Sequence, residues 1–98
     1  ITETPPYADN NKWMIVVCIN KLKISIIKTI YYLSKKNIEA RPVWHLNHKQ
    51  KKFNKFQSYN INYSNRLINN SLCIPSSSSL TKNEMKYVIN TISEIHEY

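Results

Sequence analysis

The spacing of hydrophobic positions changes along the chain, and each spacing predicts a different element. Residues 13–19 form a continuous apolar run rich in β-branched side chains, which is typical of a strand buried on both faces. From Leu22 to Lys36 the apolar positions recur at helical spacing, and Asn37 can then adopt the left-handed conformation usually given to glycine. Two overlapping rows predict one broad buried face for this helix: Ile24, Ile27 and Tyr31, and Ile26, Ile30 and Leu33.

The middle of the chain carries weaker patterns. Residues 38–44 alternate weakly and contain Pro42, which predicts a strand with this proline at a sheet edge or a strand end. Residues 45–61 show no sustained period, so we expect a loop with at most a short helical turn. A short helix is predicted from Tyr63 to Asn70, with Tyr63, Leu67 and Ile68 pointing inward.

The last third of the chain contains a brief strand and a well-marked helix. The strand covers residues 72–74 and is closed by Pro75, and a run of serines follows as a loop. Thr81 and Glu84 fit a capping box, which places the start of a helix directly after Thr81. We expect this helix to pack on the sheet through Met85, Val88, Ile89, Ile92 and Ile95.

The order of these elements predicts an α/β fold, a two-layer sandwich in which a small three-stranded sheet is packed by helices. The length of 98 residues fits one domain. The Pro5-Pro6 pair excludes helix, so residues 1–12 are interpreted as a connector and residues 13–98 as the domain. Because the chain begins at Ile1 and not at Met, we expect it to be part of a longer protein.

Composition limits the cellular setting. No apolar run approaches the roughly 18 residues that span a bilayer, and the first ten residues lack the features of a signal peptide, so a cytoplasmic location is expected. Cys18 and Cys73 each lie inside an apolar run, and buried free thiols are the default interpretation, with a single disulfide as the alternative.

Glycine is absent from the chain, so no glycine-rich loop can cradle a phosphate. The formal net charge of +8 is compatible with an anionic partner. Compositional drift is the preferred explanation for much of this charge, because 12 Lys, 13 Asn and 14 Ile are the residues that AT-rich coding DNA favours together.

Four segments together resemble one known family. Residues 37–44 are similar to the pattern Gly-Ile-x-Thr-Arg-Pro-x-Trp in the small domain of DegT/StrS aminotransferases. Residues 72–77 resemble the Leu-x-Leu-Pro stretch of that family, Leu80-Thr81 its closing helix, and residues 10–13 the entry into the domain. The resemblance covers about residues 8–95, and the departures are Asn37 in place of glycine and Ala40 in place of a hydroxyl residue.

The resemblance implies the C-terminal small domain of a pyridoxal-phosphate-dependent aminotransferase of fold type I. Such an enzyme would transfer an amino group, with glutamate as donor, to a nucleotide-linked keto sugar in polysaccharide or amino-sugar biosynthesis, and would work as a homodimer. Its Schiff-base lysine and the acidic partner of the cofactor belong to a large domain that precedes this one. We therefore expect no catalytic or cofactor-binding residue in this chain, no bound pyridoxal phosphate and no activity without the large domain.

The candidate substrate-binding residues are Arg41, Trp44 and His45. The guanidinium of Arg41 matches a carboxylate or phosphate in a planar, bidentate way, and the alternative is an ordinary ion pair with Glu39. By the resemblance, Trp44 and His45 lead into a loop that approaches the active-site cleft. The spacing of His45 and His48 falls short of a zinc pattern, so no metal site is predicted.

Two alternatives stay open. The first concerns a basic and aromatic stretch that contains Lys49, Lys51, Lys52, Phe53, Lys55 and Phe56. This stretch could make the chain a small nucleic-acid-binding module. It could instead line a nucleotide-sugar site, or merely keep a loop solvated. The usual nucleic-acid-binding motifs are missing. The chain could also be a remnant that only docks on a partner, through an exposed apolar patch with Tyr7, Trp13, Trp44 and Phe56 as candidates.

Overall fold

The computed structural model describes residues 4–19 and 24–95. Within these residues the chain forms an α/β sandwich with a three-stranded sheet, as predicted. The elements in chain order are β1 (Ile15–Cys18), α1 (Ile26–Lys35), β2 (Arg41–Pro42), a 3₁₀ turn (Asn47–Lys49), α2 (Asn62–Asn69), β3 (Ser71–Ile74) and α3 (Lys82–Glu94).

The last strand in the sequence is the centre of the sheet. β3 pairs antiparallel with β1 on one side and with β2 on the other, so the strand order is β1-β3-β2. Val17 and Pro42 both lie opposite Leu72. Because β2 is an edge strand, the missing N–H of Pro42 leaves no gap inside the sheet, and its predicted edge position is confirmed.

One face of the sheet carries the hydrophobic core. Leu72 on β3 is 1% exposed and Leu33 on α1 is fully buried. The side chains of both helices α1 and α3 join these residues in one cluster. Its buried members are Ile19, Leu33, Ile38, Ala40, Leu72, Val88 and Ile95.

Helix α1 begins at Ser25, whose hydroxyl accepts a hydrogen bond from the backbone N–H of Lys28. The predicted start at Leu22 lies outside the described residues. The prediction of one broad buried face is wrong, because Ile27 is 79% and Tyr31 63% exposed. The small sheet offers contact to only one row of the helix, in which Thr29 and Leu33 are buried.

The end of α1 follows the chemistry that its sequence predicts. Asn37 has a φ of 57°, in the left-handed region, and its N–H donates to the carbonyl of Ser34. The N–H of Ile38 donates to the carbonyl of Leu33 at 2.9 Å, which completes a Schellman motif. Lys12 and Asn60 also have positive φ values, so in this glycine-free chain other residues occupy the left-handed positions.

The prediction that residues 13–19 are buried on both faces is wrong. β1 lies at an edge of the sheet and its side chains are half-buried, and Cys18 is exposed. Both Cys18 and Cys73 are free thiols, and Cys73 is half-buried, so neither is in the fully buried state that was expected. The reason is that the core helices cover one face of the sheet, and both cysteines lie on the other.

The prediction for α2 is partly wrong. Its bounds agree with the sequence, and Leu67 and Ile68 are half-buried, but Tyr63 is 70% exposed. Tyr63 lies in the first turn of α2, where its ring stays at the rim of the sheet. The expected loop over residues 45–61, with its short helical turn, is confirmed by the 3₁₀ turn at Asn47–Lys49.

The capping box of α3 is confirmed. The Thr81 hydroxyl accepts from the backbone N–H of Glu84 at 3.2 Å, and the Glu84 carboxylate accepts from the backbone N–H of Thr81 at 2.8 Å. The buried row consists of Val88, Thr91 and Ile95. The expected contacts of two further residues are wrong, because Met85 is 44% and Ile89 60% exposed.

Burial on α1 makes a direct prediction for stability. We expect Leu33→Ala to lower the free energy of unfolding by about 2–5 kcal/mol, because the side chain leaves a cavity in the core. Ile27→Ala on the same helix is the matched control and should change it by less than about 0.5 kcal/mol. Urea unfolding followed by circular dichroism measures both, and equal losses would contradict the burial assignment.

The capping box predicts a pH dependence. Hydrogen bonds from the Thr81 hydroxyl and backbone N–H hold the pKa of Glu84 below its ordinary value. A carboxyl with a lowered folded-state pKa stabilises the fold above its unfolded pKa of about 4.3, and this stabilisation is lost as pH falls through the folded-state value.

Thr81→Ala should therefore raise the pKa of Glu84 toward its ordinary value, and at pH 7 should destabilise the chain by about 1 kcal/mol through loss of the cap. Titration of the Glu84 side chain by NMR measures the first effect, and urea unfolding measures the second. Ser78→Ala in the preceding loop serves as the control. An unchanged Glu84 titration in Thr81→Ala would show that the cap does not hold this carboxylate.

Candidate functional site

The face of the sheet opposite the core carries the candidate site residues. Arg41 lies opposite Cys73, and Cys73 lies opposite Val16, so their side chains form one row across all three strands. Cys18 and Ser71 form the next row. We call this side of the sheet the second face. Sequence reasoning missed it, because a continuous apolar run cannot reveal which face stays open.

Helix α2 covers part of the second face. Between this helix and the sheet lies a cavity of about 490 Å³, which opens to solvent. Most of its lining is apolar, with Trp44 at one side and the serine hydroxyls among the polar groups. The lining residues are Val16, Cys18, Val43, Trp44, Leu46, Tyr63, Ser64, Leu67, Ile68 and Ser71.

An aromatic pair joins the segment before β1 to the segment after β2. The ring centroids of Trp13 and Trp44 are 5.8 Å apart, with planes at 70°, an edge-to-face arrangement that is favourable for aromatic rings. Ser76 donates a hydrogen bond to the carbonyl of Trp13 and so ties the same segment to the loop after β3. Both rings remain mostly exposed, at 64% and 67%.

Arg41 is engaged in an ion pair. Its Nε donates to Oε1 of Glu39 at 2.8 Å, and its terminal guanidinium nitrogen Nη2 contacts the same oxygen. The two side chains are 76% and 72% exposed. This is the pairing that the sequence offered as the alternative to substrate binding, and its exposure makes it weak.

Trp44 and His45 share a second cavity, of about 700 Å³, which starts where β2 ends. Arg41 is not among the residues that line it. Its shape depends on Gln50, whose side-chain amide donates to the carbonyl of His45 and to Oδ1 of Asn47. The lining residues are Pro42, Val43, Trp44, His45, Asn47, Lys49 and Gln50.

The contributions of Asn47 and Gln50 to this cavity were not predicted. The 3₁₀ turn brings them beside His45, and only this turn makes residues three apart in sequence neighbours in space. A stretch of Asn, His, Lys and Gln carries no apolar period, so the sequence offers no signal for the turn's position. The structure therefore joins Trp44 and His45 in one cavity and leaves Arg41 on the adjacent open face.

The described residues, 4–19 and 24–95, do not fit pyridoxal phosphate. That cofactor needs a lysine for the Schiff base. In the aminotransferases that the sequence resembles, it also needs a carboxylate at the pyridine nitrogen. Lys49 lines the larger cavity, but no Asp or Glu lines any of the described cavities. The sequence in fact has no Asp or Glu between Glu39 and Glu84.

The described residues contain neither a cluster suited to a metal ion nor a helix suited to span a membrane. No group of three or more His, Cys, Asp and Glu side chains is placed to hold a metal ion within residues 4–19 and 24–95. In the same part of the chain, no helix has the length and apolar character needed to cross a membrane.

The comparison with protein families decides the relationship of the chain. The model of the DegT/DnrJ/EryC1/StrS aminotransferase family matches residues 1–93. The chain belongs to this family. A comparison with curated proteins finds no match. The family match confirms the resemblance that the sequence motifs around Arg41, Pro75 and Thr81 indicated.

The two thiols of this aminotransferase-family chain provide a test of the second face. Burial raises the pKa of the Cys73 thiol, whereas Cys18 is exposed. Because the thiolate is the reactive form, we expect Cys18 to react with a maleimide at neutral pH on the order of tenfold faster than Cys73. Mass spectrometry of Cys18→Ser and Cys73→Ser variants separates the two rates. Equal rates would contradict the different exposure of the two cysteines.

Proposed function

We propose that residues 13–98 are the C-terminal small domain, and residues 1–12 the connector, of a pyridoxal-phosphate-dependent aminotransferase. The enzyme transfers an amino group from glutamate to a nucleotide-linked keto sugar, in the biosynthesis of cell-surface polysaccharide or amino sugars. The observation that carries the proposal is the family match over residues 1–93. The substrate, the donor and a cytoplasmic homodimer follow from what the resemblance implies.

The proposal divides the work between two parts of the enzyme. The proposal places the cofactor and the lysine that binds it in a large domain outside this chain, because neither of the two cavities described above is lined by a carboxylate. The present chain contributes groups that bind and orient the substrate. It is inactive without the large domain.

Arg41 is proposed to bind an anionic group of the substrate. Its present partner Glu39 holds it in an exposed ion pair, and such pairs contribute little, so a phosphate or carboxylate can replace Glu39 at small cost. The planar guanidinium then binds the two oxygens of the anion together. Glu39 keeps the arginine side chain in place until the substrate arrives.

Trp44 and His45 are proposed to hold the neutral part of the substrate. Trp44 lines both cavities on this side of the molecule and offers a large, rigid apolar surface. His45 lies in the larger cavity, where an imidazole can donate a hydrogen bond to a sugar hydroxyl or accept one from it. The volume of about 700 Å³ lies within the usual range for small-molecule sites.

The exposed aromatic residues are proposed as the surface that docks on the large domain. Tyr7 is 90%, Trp13 64%, Trp44 67% and Phe56 61% exposed, a large exposure for apolar side chains. Trp13 and Trp44 form one continuous pair next to the candidate site. Docking there would close the substrate cavity from the solvent side.

The first experiment is to read the coding DNA upstream of Ile1 and to express the chain with any large-domain segment found there. We expect the reunited protein to bind pyridoxal phosphate with the visible absorbance of a lysine-bound cofactor and to aminate a nucleotide-linked keto sugar with glutamate. The chain alone should show neither. Cofactor binding by the isolated 98 residues, or reunited halves that remain inactive, would refute the proposal.

Arg41 makes a kinetic prediction for the reunited enzyme. Arg41→Ala should raise KM for the nucleotide sugar about 10- to 100-fold, the effect of losing a charge-assisted hydrogen bond, with a smaller change in kcat. Arg41→Lys should recover only part of it, because lysine cannot bind two oxygens in one plane. Arg66→Ala, an exposed arginine on α2, is the control. An unchanged KM in Arg41→Ala would contradict substrate binding by Arg41 and would favour the ion pair with Glu39 as its role.

A further inference from the structure

A basic and aromatic segment follows the candidate site, and its first two residues, Lys49 and Gln50, line the larger cavity. We call residues 49–56 the lysine-phenylalanine segment. It contains four lysines and two phenylalanines: Lys49, Lys51, Lys52, Phe53, Lys55 and Phe56. It lies in the middle of a long stretch, residues 40–83, that has no Asp or Glu at all. Along the sequence, the carboxylates nearest to these lysines are therefore Glu39 on the N-terminal side and Glu84 on the C-terminal side.

The backbone of the segment winds through successive tight turns. Hydrogen bonds between residues three apart run from the N–H of Lys49 to the carbonyl of Leu46, and from the N–H of Phe53 to the carbonyl of Gln50. Another runs from the N–H of Phe56 to the carbonyl of Phe53. Gln50 is extended, with a ψ of 139°, so these are separate turns and not one continuous helix.

The cations and the aromatic rings of the segment lie close together. Lys49, Lys52 and Lys55 are spaced by three residues, and so are Phe53 and Phe56. The phenylalanine rings are neighbours, with centroids 6.4 Å apart. Two ammonium groups lie beside these rings, Lys52 at 6.0 Å from the Phe53 centroid and Lys55 at 5.6 Å from that of Phe56. The result is a short surface in which lysine ammonium groups lie against neighbouring aromatic rings.

The surface is open to a partner. All residues from 49 to 56 are exposed, and Phe56 is exposed at 61%. Within the described part of the chain, the ion pair observed is that of Arg41 with Glu39, and none involves these lysines. Exposed phenylalanines surrounded by unneutralised lysines are complementary to a partner that is anionic at its surface and apolar just beneath it.

We propose that the lysine-phenylalanine segment binds the surface of an anionic phospholipid bilayer. The lysine ammonium groups contact the headgroup phosphates, and the Phe53 and Phe56 rings enter the boundary between headgroups and acyl chains. Single-stranded nucleic acid carries the same charge but binds through stacked bases, and the oligonucleotide measurement described below distinguishes it from the bilayer. The proposal goes beyond aminotransferase function, and it assigns Phe56 to the bilayer instead of to the surface that docks on the large domain.

The test uses the complete chain and vesicles of defined composition. Co-sedimentation is measured with vesicles of phosphatidylglycerol and phosphatidylcholine and with vesicles of phosphatidylcholine alone. We expect binding to the anionic vesicles at low ionic strength, little binding to the neutral ones, and a steep loss of binding as added salt shortens the range of the electrostatic attraction.

Matched variants separate a specific surface from the overall positive charge. Changing Lys49, Lys52 and Lys55 to Gln should weaken binding about 100-fold. Changing Lys28, Lys82 and Lys86 to Gln removes the same charge from exposed helix positions. This control should weaken binding only about 3-fold. Phe53→Ala with Phe56→Ala should weaken binding about tenfold without changing the charge. Circular dichroism checks that each variant remains folded.

Three outcomes would overturn the proposal. The first is equal binding to anionic and neutral vesicles, or no binding to either. The second is an equal effect of the two lysine triples, which would make the charge a general property of the chain. The third is tighter binding of a fluorescent single-stranded oligonucleotide than of the vesicles at the same salt concentration, with loss of that binding in the double phenylalanine variant, which would assign the surface to nucleic acid.

Discussion

The antiparallel pairing of β3 with both other strands is the interaction on which the rest of the structure depends. β3 has only four residues, yet it links the first strand of the chain to the second and supplies Leu72, which is almost fully buried, to the core. Every row of side chains across the sheet passes through it. The two faces of this one strand therefore divide the molecule, with the packed core behind Leu72 and the open surface in front of Cys73.

Coverage by helices on one side explains why the molecule has a surface available for function. α1 and α3 share the core cluster, whereas the second face is covered only in part by α2. A sheet of three short strands can bury a single row from each core helix, so other large side chains remain in solvent. Such exposed apolar groups are costly in an isolated domain but useful in one part of a larger enzyme.

Sequence predictions were accurate where the determining chemistry is local. The cap at Thr81, the left-handed Asn37 and the edge position of Pro42 each depend on hydrogen bonds or sterics within a few residues. Predictions of burial failed at Ile27 and Ile89, because helical spacing shows which residues share a face but not how wide a partner that face will meet.

The candidate site was predicted only in outline. Trp44 and His45 line a common cavity, but the tight turn that completes it has no periodic signal, and Gln50 was missed. The position of Arg41 beside Glu39 followed from their spacing in the strand. The side of the sheet that this pair faces could not be predicted, because it depends on the register between β2 and the distant strand β3.

The uneven distribution of charge has a kinetic consequence. Residues 40–83 carry seven Lys and Arg and no carboxylate, whereas the other 54 residues carry seven Lys and all six Asp and Glu. The molecule consequently has a permanent electric dipole. In the field of any anionic surface or ligand, the dipole experiences a torque that turns residues 40–83 toward that surface or ligand before contact is made. Orientation during approach raises the rate of productive encounters, even where the final contact adds little to the equilibrium affinity.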